Sequence, residues 1–157
     1  MDRIHGRLPD GTLVEGLHGR ARSALAIAAA ATAAAATMLV LDVTWLGVVA
    51  RGLYDSMLGP LKRTEVFWPE AALFYALYIG AVVVHAVIGS SSPSSALRRG
   101  AALGLVTYAT YDLTNWAVLK GWPALLVPVD VGWGVALTAF VALGGKLVHT
   151  RVLGCAR

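Results

Sequence analysis

Apolar residues fall along this chain in four long runs divided by short polar stretches. The runs extend from about Ser23 to Ala50, Glu70 to Ile88, Leu97 to Leu119 and Leu125 to Val148. They are of the length that a helix needs to cross about 30 Å of hydrocarbon, roughly 20 residues. Backbone groups in lipid have no water to bond, so segments of this length must pair internally as helices rather than strands. The pattern predicts an all-α integral membrane protein, a four-transmembrane-helix bundle with spans 23–50, 70–88, 97–119 and 125–148. Residues 23–150 form the transmembrane domain, with a disordered cytoplasmic tail at 1–22 and a second tail at 151–157. Arg20 and Arg22 before "SALAIAAAATAAAAT" resemble the start of a signal peptide. The apolar run continues through "MLVLDVTWLGVVA", which is too long for a signal core, so an uncleaved first helix is expected.

Composition supports the same reading. Hydrophobic residues make up 57% of the chain and charged residues only 14%, against about 25% charged in soluble domains. The net charge of +4 comes from basic residues flanking apolar runs, which is a topology signal rather than a nucleic-acid surface. A single cysteine, Cys155, excludes an intrachain disulfide and a cysteine-based zinc site. With four spans, one side holds Arg3, Arg7, Arg20, Arg22, Arg98, Arg99, Lys146, Arg151 and Arg157. The other holds Arg51, Lys62, Arg63 and Lys120. The positive-inside rule then puts both termini in the cytoplasm. "SSSPSS" at 90–95 reads as a flexible cytoplasmic connection, and "KGWPA" at 120–124 as a tight outer turn that makes the third and fourth helices antiparallel neighbours.

Polar residues inside the runs are the candidate chemistry. At 1.5 Å of rise per residue, Asp42 lies about 12 Å, Asp112 about 10 Å and Asp130 about 8 Å below the outer boundary. Three acids on helices of different direction therefore share one half of the bilayer. The five tryptophans fall in that half too, where an ordinary aromatic belt would occupy both faces. Trp68 and Trp122 read as interface anchors, whereas Trp45 and Trp133 each follow an aspartate by three residues and share its helix face. Tyr108, Asp112 and Asn115 form one stripe, and Thr107, Tyr111 and Thr114 an adjoining one. Such a polar face is expected to turn toward the bundle interior or a wet cavity. Asp130 and Glu70 follow prolines at helix starts, where a carboxylate can also serve free N–H groups. His85 stands alone, no cluster has metal-ligand spacing, and no phosphate-binding, dinucleotide or nucleophile-elbow motif occurs. Neither a metal nor a cofactor is expected. Gly100 and Gly104, with glycines along the fourth helix, allow close helix approach within the bundle or in a homo-oligomer.

The segments "LDVTWLG" at 41–47, "YDLTN" at 111–115, "LKGWP" at 119–123 and "VDVGWG" at 129–134 resemble the bacterial membrane-protein family designated domain of unknown function 2177. The resemblance covers about residues 35–145. It implies membership of a family of unestablished activity, associated with membrane-lipid modification proteins, in the bacterial inner membrane. Asp42, Trp45, Gly47, Tyr111, Asp112, Asn115, Lys120, Trp122, Asp130, Trp133 and Gly134 match its signatures. The candidate site is therefore Asp42, Trp45, Tyr108, Tyr111, Asp112, Asn115, Asp130 and Trp133. Three functions fit it. One is a binding or accessory protein that holds a lipid or small amphiphile in an acidic and aromatic pocket of the outer leaflet. Another is a membrane-embedded enzyme using two carboxyls as acid and base. The last is a small proton-coupled transporter or membrane-complex subunit. Membrane lipids are the expected partners and nucleic acid is not.

Overall fold

The computed structural model describes residues 11–154, and all their regular structure is helical. Helix α1 spans Gly11–Thr44 and continues as a π-helical turn over Trp45–Val49. A short α2, Arg51–Leu58, and one 3-10 turn, Gly59–Leu61, lead to α3 at Trp68–Val82, itself extended by a π-helical segment over Val83–Ile88. Helix α4 spans Pro93–Val118 and α5 spans Leu126–Gly154.

Helix α1 starts at Gly11, so the second half of the stretch expected to be a disordered tail is helical. Extending an existing alanine-rich helix costs far less than nucleating one, and no proline follows Gly11 to stop it. The rest of that expected tail, residues 1–10, and the end of the second tail, 155–157, lie outside the described residues. The serine-rich connection is also tighter than expected. Ser92 accepts a hydrogen bond from Ser95 N at 3.2 Å, and Pro93 opens α4 directly behind this cap. The turn between α4 and α5 is short as expected, with Gly121 at φ 83°, a conformation that glycine takes without strain.

Among the described residues, three helices are long and apolar enough to cross a membrane: Gly16–Val49, Trp68–Ile88 and Leu126–Gly154. Helix α4 has the length but not the composition, because Tyr108, Tyr111, Asp112, Thr114 and Asn115 crowd its second half. It nonetheless packs closely on α5. A Cβ added at Gly100 would lie 2.7 Å from Ala142 Cβ, and one at Gly104 would lie 2.7 Å from Thr138 Oγ1. Helix α1 lies on the same α5, since a Cβ at Gly145 would meet the Ala30 carbonyl oxygen at 3.2 Å.

Contacts fix the directions. Ala30 meets Gly145 while Trp45 meets Trp133, so α1 runs antiparallel to α5. Gly100 meets Ala142 while Tyr108 meets Gly134, so α4 does the same. Tyr78 bonds Thr138 while Val87 touches Gly145, which makes α3 parallel to α5. Helix α5 is thus the central member.

Two helices bury stripes with a strict period of four. In α1 the stripe is Ala26, Ala30, Ala34, Met38 and Asp42; in α4 it includes Ala96, Gly100, Gly104 and Asp112. Small residues at this spacing let backbones approach, which substitutes dispersion for the hydrophobic drive that lipid does not supply. The outward faces of α1, α3 and α4 expose Leu39, Val40, Val43, Leu73, Leu77, Leu105 and Val106. A protein in water would not leave so continuous an apolar surface open, but lipid requires it.

Candidate functional site

The C-terminal end of α1, the N-terminal end of α3, the C-terminal end of α4 and the N-terminal end of α5 meet at one end of the bundle. All three aspartates are there, and all are buried: Asp112 is 0% exposed, Asp42 7% and Asp130 8%. Among the described residues, no lysine or arginine pairs with any of them. The ion pairs belong instead to the exposed Asp55 in α2, where the hydrogen bond and charge of Lys62, helped by Arg51, hold the carboxyl below the usual aspartate range.

Phenols and indoles serve the buried acids. Tyr75 Oη donates to Asp42 Oδ2 at 3.2 Å. Tyr54 Oη donates to Asp130 Oδ1 and accepts from Trp45 Nε1 at 3.4 Å. Trp45 stacks on Trp133, with ring centroids 4.4 Å apart and planes 5° from parallel. The π-helical turn at Trp45–Val49 is where the chain leaves α-helical register and presents this ring. Trp133 Nε1 lies toward Asp42 without closing a hydrogen bond. A continuous path therefore joins Asp42 to Asp130 through Trp133, Trp45 and Tyr54.

Asp112 differs from the other two. Both of its carboxyl oxygens are buried without a hydrogen-bond partner, although the Trp122 indole N–H lies toward it. Leaving a buried polar group unpaired costs about 1–3 kcal/mol, more when it is charged. Tyr108, one turn earlier, has its ring over Gly134 and stands within electrostatic reach of both Asp42 and Asp112. It is the element that joins Asp112 to the rest.

Beside this cluster a groove of about 270 Å³ runs between α3 and α4, lined by Phe74, Tyr78, Thr107, Tyr108 and Tyr111. Its floor is fixed by Tyr78, whose hydroxyl pairs with Thr138 Oγ1 at 2.6 Å, while Thr138 Oγ1 also donates to Gly134 O at 2.7 Å. A second, more open recess of about 310 Å³ reaches Asp42 and Tyr75 past Val43, Leu46 and Gly47. Among the described residues, no group of three metal-ligating side chains occurs.

Of the residues expected in the site, Asp42, Trp45, Tyr108, Asp112, Asp130 and Trp133 are brought together. Tyr111 is 59% exposed and forms the outer lip of the groove, edge-on to Trp122 with centroids 5.8 Å apart. The Asn115 side chain is half-buried and joins no hydrogen bond, and Thr114 is exposed. The two polar stripes thus divide between the bundle interior and the groove, with Thr114 exposed. Helix α4 has one close neighbour on that side, α5, which covers the Tyr108–Asp112 stripe and leaves the adjoining one at the groove mouth. Trp122, read as an interface anchor, is half-buried against Asp112. Asp130 takes a tyrosine hydroxyl, alongside any role at its helix start.

Tyr54, Tyr75, Tyr78 and Thr138 were not singled out in the sequence. Tyr75 and Tyr78 carried a usable signal, two phenols three residues apart in an otherwise apolar helix. Tyr54 carried none, because its partner Asp130 lies beyond both α3 and α4 in the chain.

Comparison with the curated proteins gave no match, and neither did comparison with the solved structures. One family model, described as a predicted membrane protein and designated domain of unknown function 2177, matches residues 27–147. That range includes α3, α4 and every buried aspartate, with the C-terminal part of α1 and most of α5, so the chain belongs to this family of predicted membrane proteins.

Proposed function

We propose that this multi-pass membrane protein binds a lipid or small amphiphile at the acidic and aromatic end of its bundle, as an accessory to membrane-lipid modification. In this reading it resides in the bacterial inner membrane with four spans and both termini in the cytoplasm. Helix α4 supplies the third of these spans in this reading, which its antiparallel packing along α5 from Gly100 to Tyr108 supports. Lipid-modification proteins are then the natural partners, and the site opens toward the outer leaflet.

The observation that carries this reading is the groove between α3 and α4. Its walls are aromatic, and its Tyr108 wall lies within electrostatic reach of two buried carboxyls. An acyl chain suits the walls and a polar headgroup suits the carboxyls, with Asp112 offering two oxygens that the protein leaves without a hydrogen bond. Native mass spectrometry of the wild type and of Asp112→Asn tests it. The wild type is expected to retain an amphiphile that the variant loses. Bare protein in both cases overturns the proposal.

A further inference from the structure

A second site lies at the opposite end of the bundle. There, Lys146 of α5 is 5% exposed, a cation inside a membrane-spanning helix. Its ammonium donates to Ser90 O at 2.6 Å and Val87 O at 3.2 Å. These carbonyls end α3, so the lysine satisfies a helix C-terminus and lies favourably in its dipole. Both partners are neutral, however. Among the described residues, no carboxylate pairs with Lys146, and an ammonium has three donors of which these two carbonyls use two.

A recess of about 280 Å³ opens beside it, lined by Lys146, His149, Thr150, Leu153 and Gly154. These positions recur at helical spacing and form one stripe of α5. His149 Nδ1 is buried and has no hydrogen-bond partner. Arg22 of α1 reaches the same place, where it donates to the Leu153 carbonyl. Arg99 of α4 donates to Gly89 O beside the end of α3. Three helices thus each send a basic side chain to this end of the bundle, and the three aspartates of the spans are all at the other.

We infer that this recess is an anion site for a phosphate ester, with Lys146 and His149 as its ligating groups. A buried ammonium served only by neutral carbonyls keeps much of its desolvation cost, and an anion in the recess would offset it. Lysine meets phosphate as a compact point charge, and histidine adds a second donor from the same helix face. The recess lies at the end of an apolar span, at the level where lipid headgroups sit. Basic pockets between spanning helices hold anionic headgroups by this chemistry. A phospholipid phosphodiester is the source that fits the position; a soluble phosphate would use the same donors.

The test uses the full chain purified in a neutral detergent, with phosphatidylglycerol, phosphatidylcholine or inorganic phosphate added, and adducts counted by native mass spectrometry. The variants are Lys146→Met, His149→Ala and the double variant, with helix content checked by circular dichroism. If Lys146→Met does not fold, His149→Ala carries the test alone, because its ring ends no helix. Phosphatidylglycerol is expected to be retained as a discrete adduct in preference to phosphatidylcholine. Each substitution is expected to weaken it about fivefold, the scale of one basic group against an anionic headgroup. Displacement of the lipid by inorganic phosphate would assign the site to the phosphate group itself, free or esterified, and loss of preference in the variants would place it at this recess. Equal retention of both lipids by wild type, or unchanged retention by every folded variant, overturns the inference.

Discussion

Two glycines in one helix, two residues apart, should respond to the same substitution with opposite sign. A Cβ at Gly134 would fall inside the Tyr108 ring, 2.7 Å from Cδ1 and nearer still to Cγ and Cδ2. A Cβ at Gly132 would meet nothing within 4 Å. In Gly132→Ala the added methyl enters open space, and only the helix-propensity difference acts, a gain of roughly 0.5–1 kcal/mol. In Gly134→Ala the same gain is opposed by overpacking, typically about 1–3 kcal/mol when a side chain or backbone must shift. The ring cannot rotate away freely, because a turn of its helix is locked on α5 through Gly104, whose own Cβ position is 2.7 Å from Thr138 Oγ1. The two variants should therefore lie on either side of wild type, separated by roughly 1–3 kcal/mol, the overpacking cost alone, since the propensity gain is common to both. Denaturation in mixed micelles followed by far-ultraviolet circular dichroism measures both on one scale. Because the displaced ring is a wall of the groove, only Gly134→Ala should also lower amphiphile retention. If both variants shift in the same direction, or if Gly134→Ala matches wild type, the packing of α4 on α5 described here is wrong.

Tyr54→Phe removes the hydroxyl that donates to Asp130 and accepts from Trp45. A hydrogen bond to a carboxylate is worth about 1.5–3 kcal/mol. The loss should appear as faster hydrogen exchange over residues 51–61, which this bond ties to the bundle, with α5 beyond Thr138 unchanged; uniform acceleration would contradict that. Asp55 predicts an acid response in the same loop. Lys62 and Arg51 depress its carboxyl below the ordinary value of 3.8, so the folded chain holds the ionised form more strongly than the unfolded chain. That contribution is present above the unfolded value and lost as pH falls through the lower folded one. Exchange protection of α2 should therefore be level from neutral to mildly acidic pH and fall below it, and Asp55→Asn should abolish the step. A step that persists in Asp55→Asn must come from another group.

Much of this was legible in the sequence, for specific physical reasons. Long apolar runs can only be helices in lipid, so the helical class followed from length alone. That Asp42, Asp112 and Asp130 belong at one end of the bundle followed from helix rise, and the structure gathers all three there. What failed to show has an equally specific cause. The start of α1 at Gly11 depends on helix propagation from downstream, which apolarity does not report. Tyr111 and Thr114 look as inward as Tyr108 and Asp112 on a helical wheel, since a wheel shows which residues share a face but not how wide the neighbour is. Lys146 counted only among the charges of one side in the topology, yet it is buried because the end of α3 offers it two carbonyls. The apolarity of α4 remains marginal for the same reason that it is interesting, since its polar residues are the site.

The packing and the site have one origin. Each of the three aspartates sits at an end of a stripe of small residues. Asp42 closes the run Ala26, Ala30, Ala34, Met38; Asp112 closes the α4 run through Gly100 and Gly104; and Asp130 lies one turn before Gly134 in α5. Along the stripes the backbones touch and nothing else fits between them. At their ends the pattern changes from glycine and alanine to aspartate, tyrosine and tryptophan, and the exchange is reciprocal. Where α4 presents Gly104, α5 answers with Gly134 O and Thr138; where α4 presents Tyr108, α5 answers with glycine. Bulk on one helix is thus accommodated by its absence on the next, which holds the Tyr108 ring in one place. The same ring lines the groove and stands beside Asp42 and Asp112. The close packing of one half of the bundle is what fixes the geometry of the polar half. Substitutions along the small-residue stripes should accordingly disturb the aspartate end without touching any polar residue there.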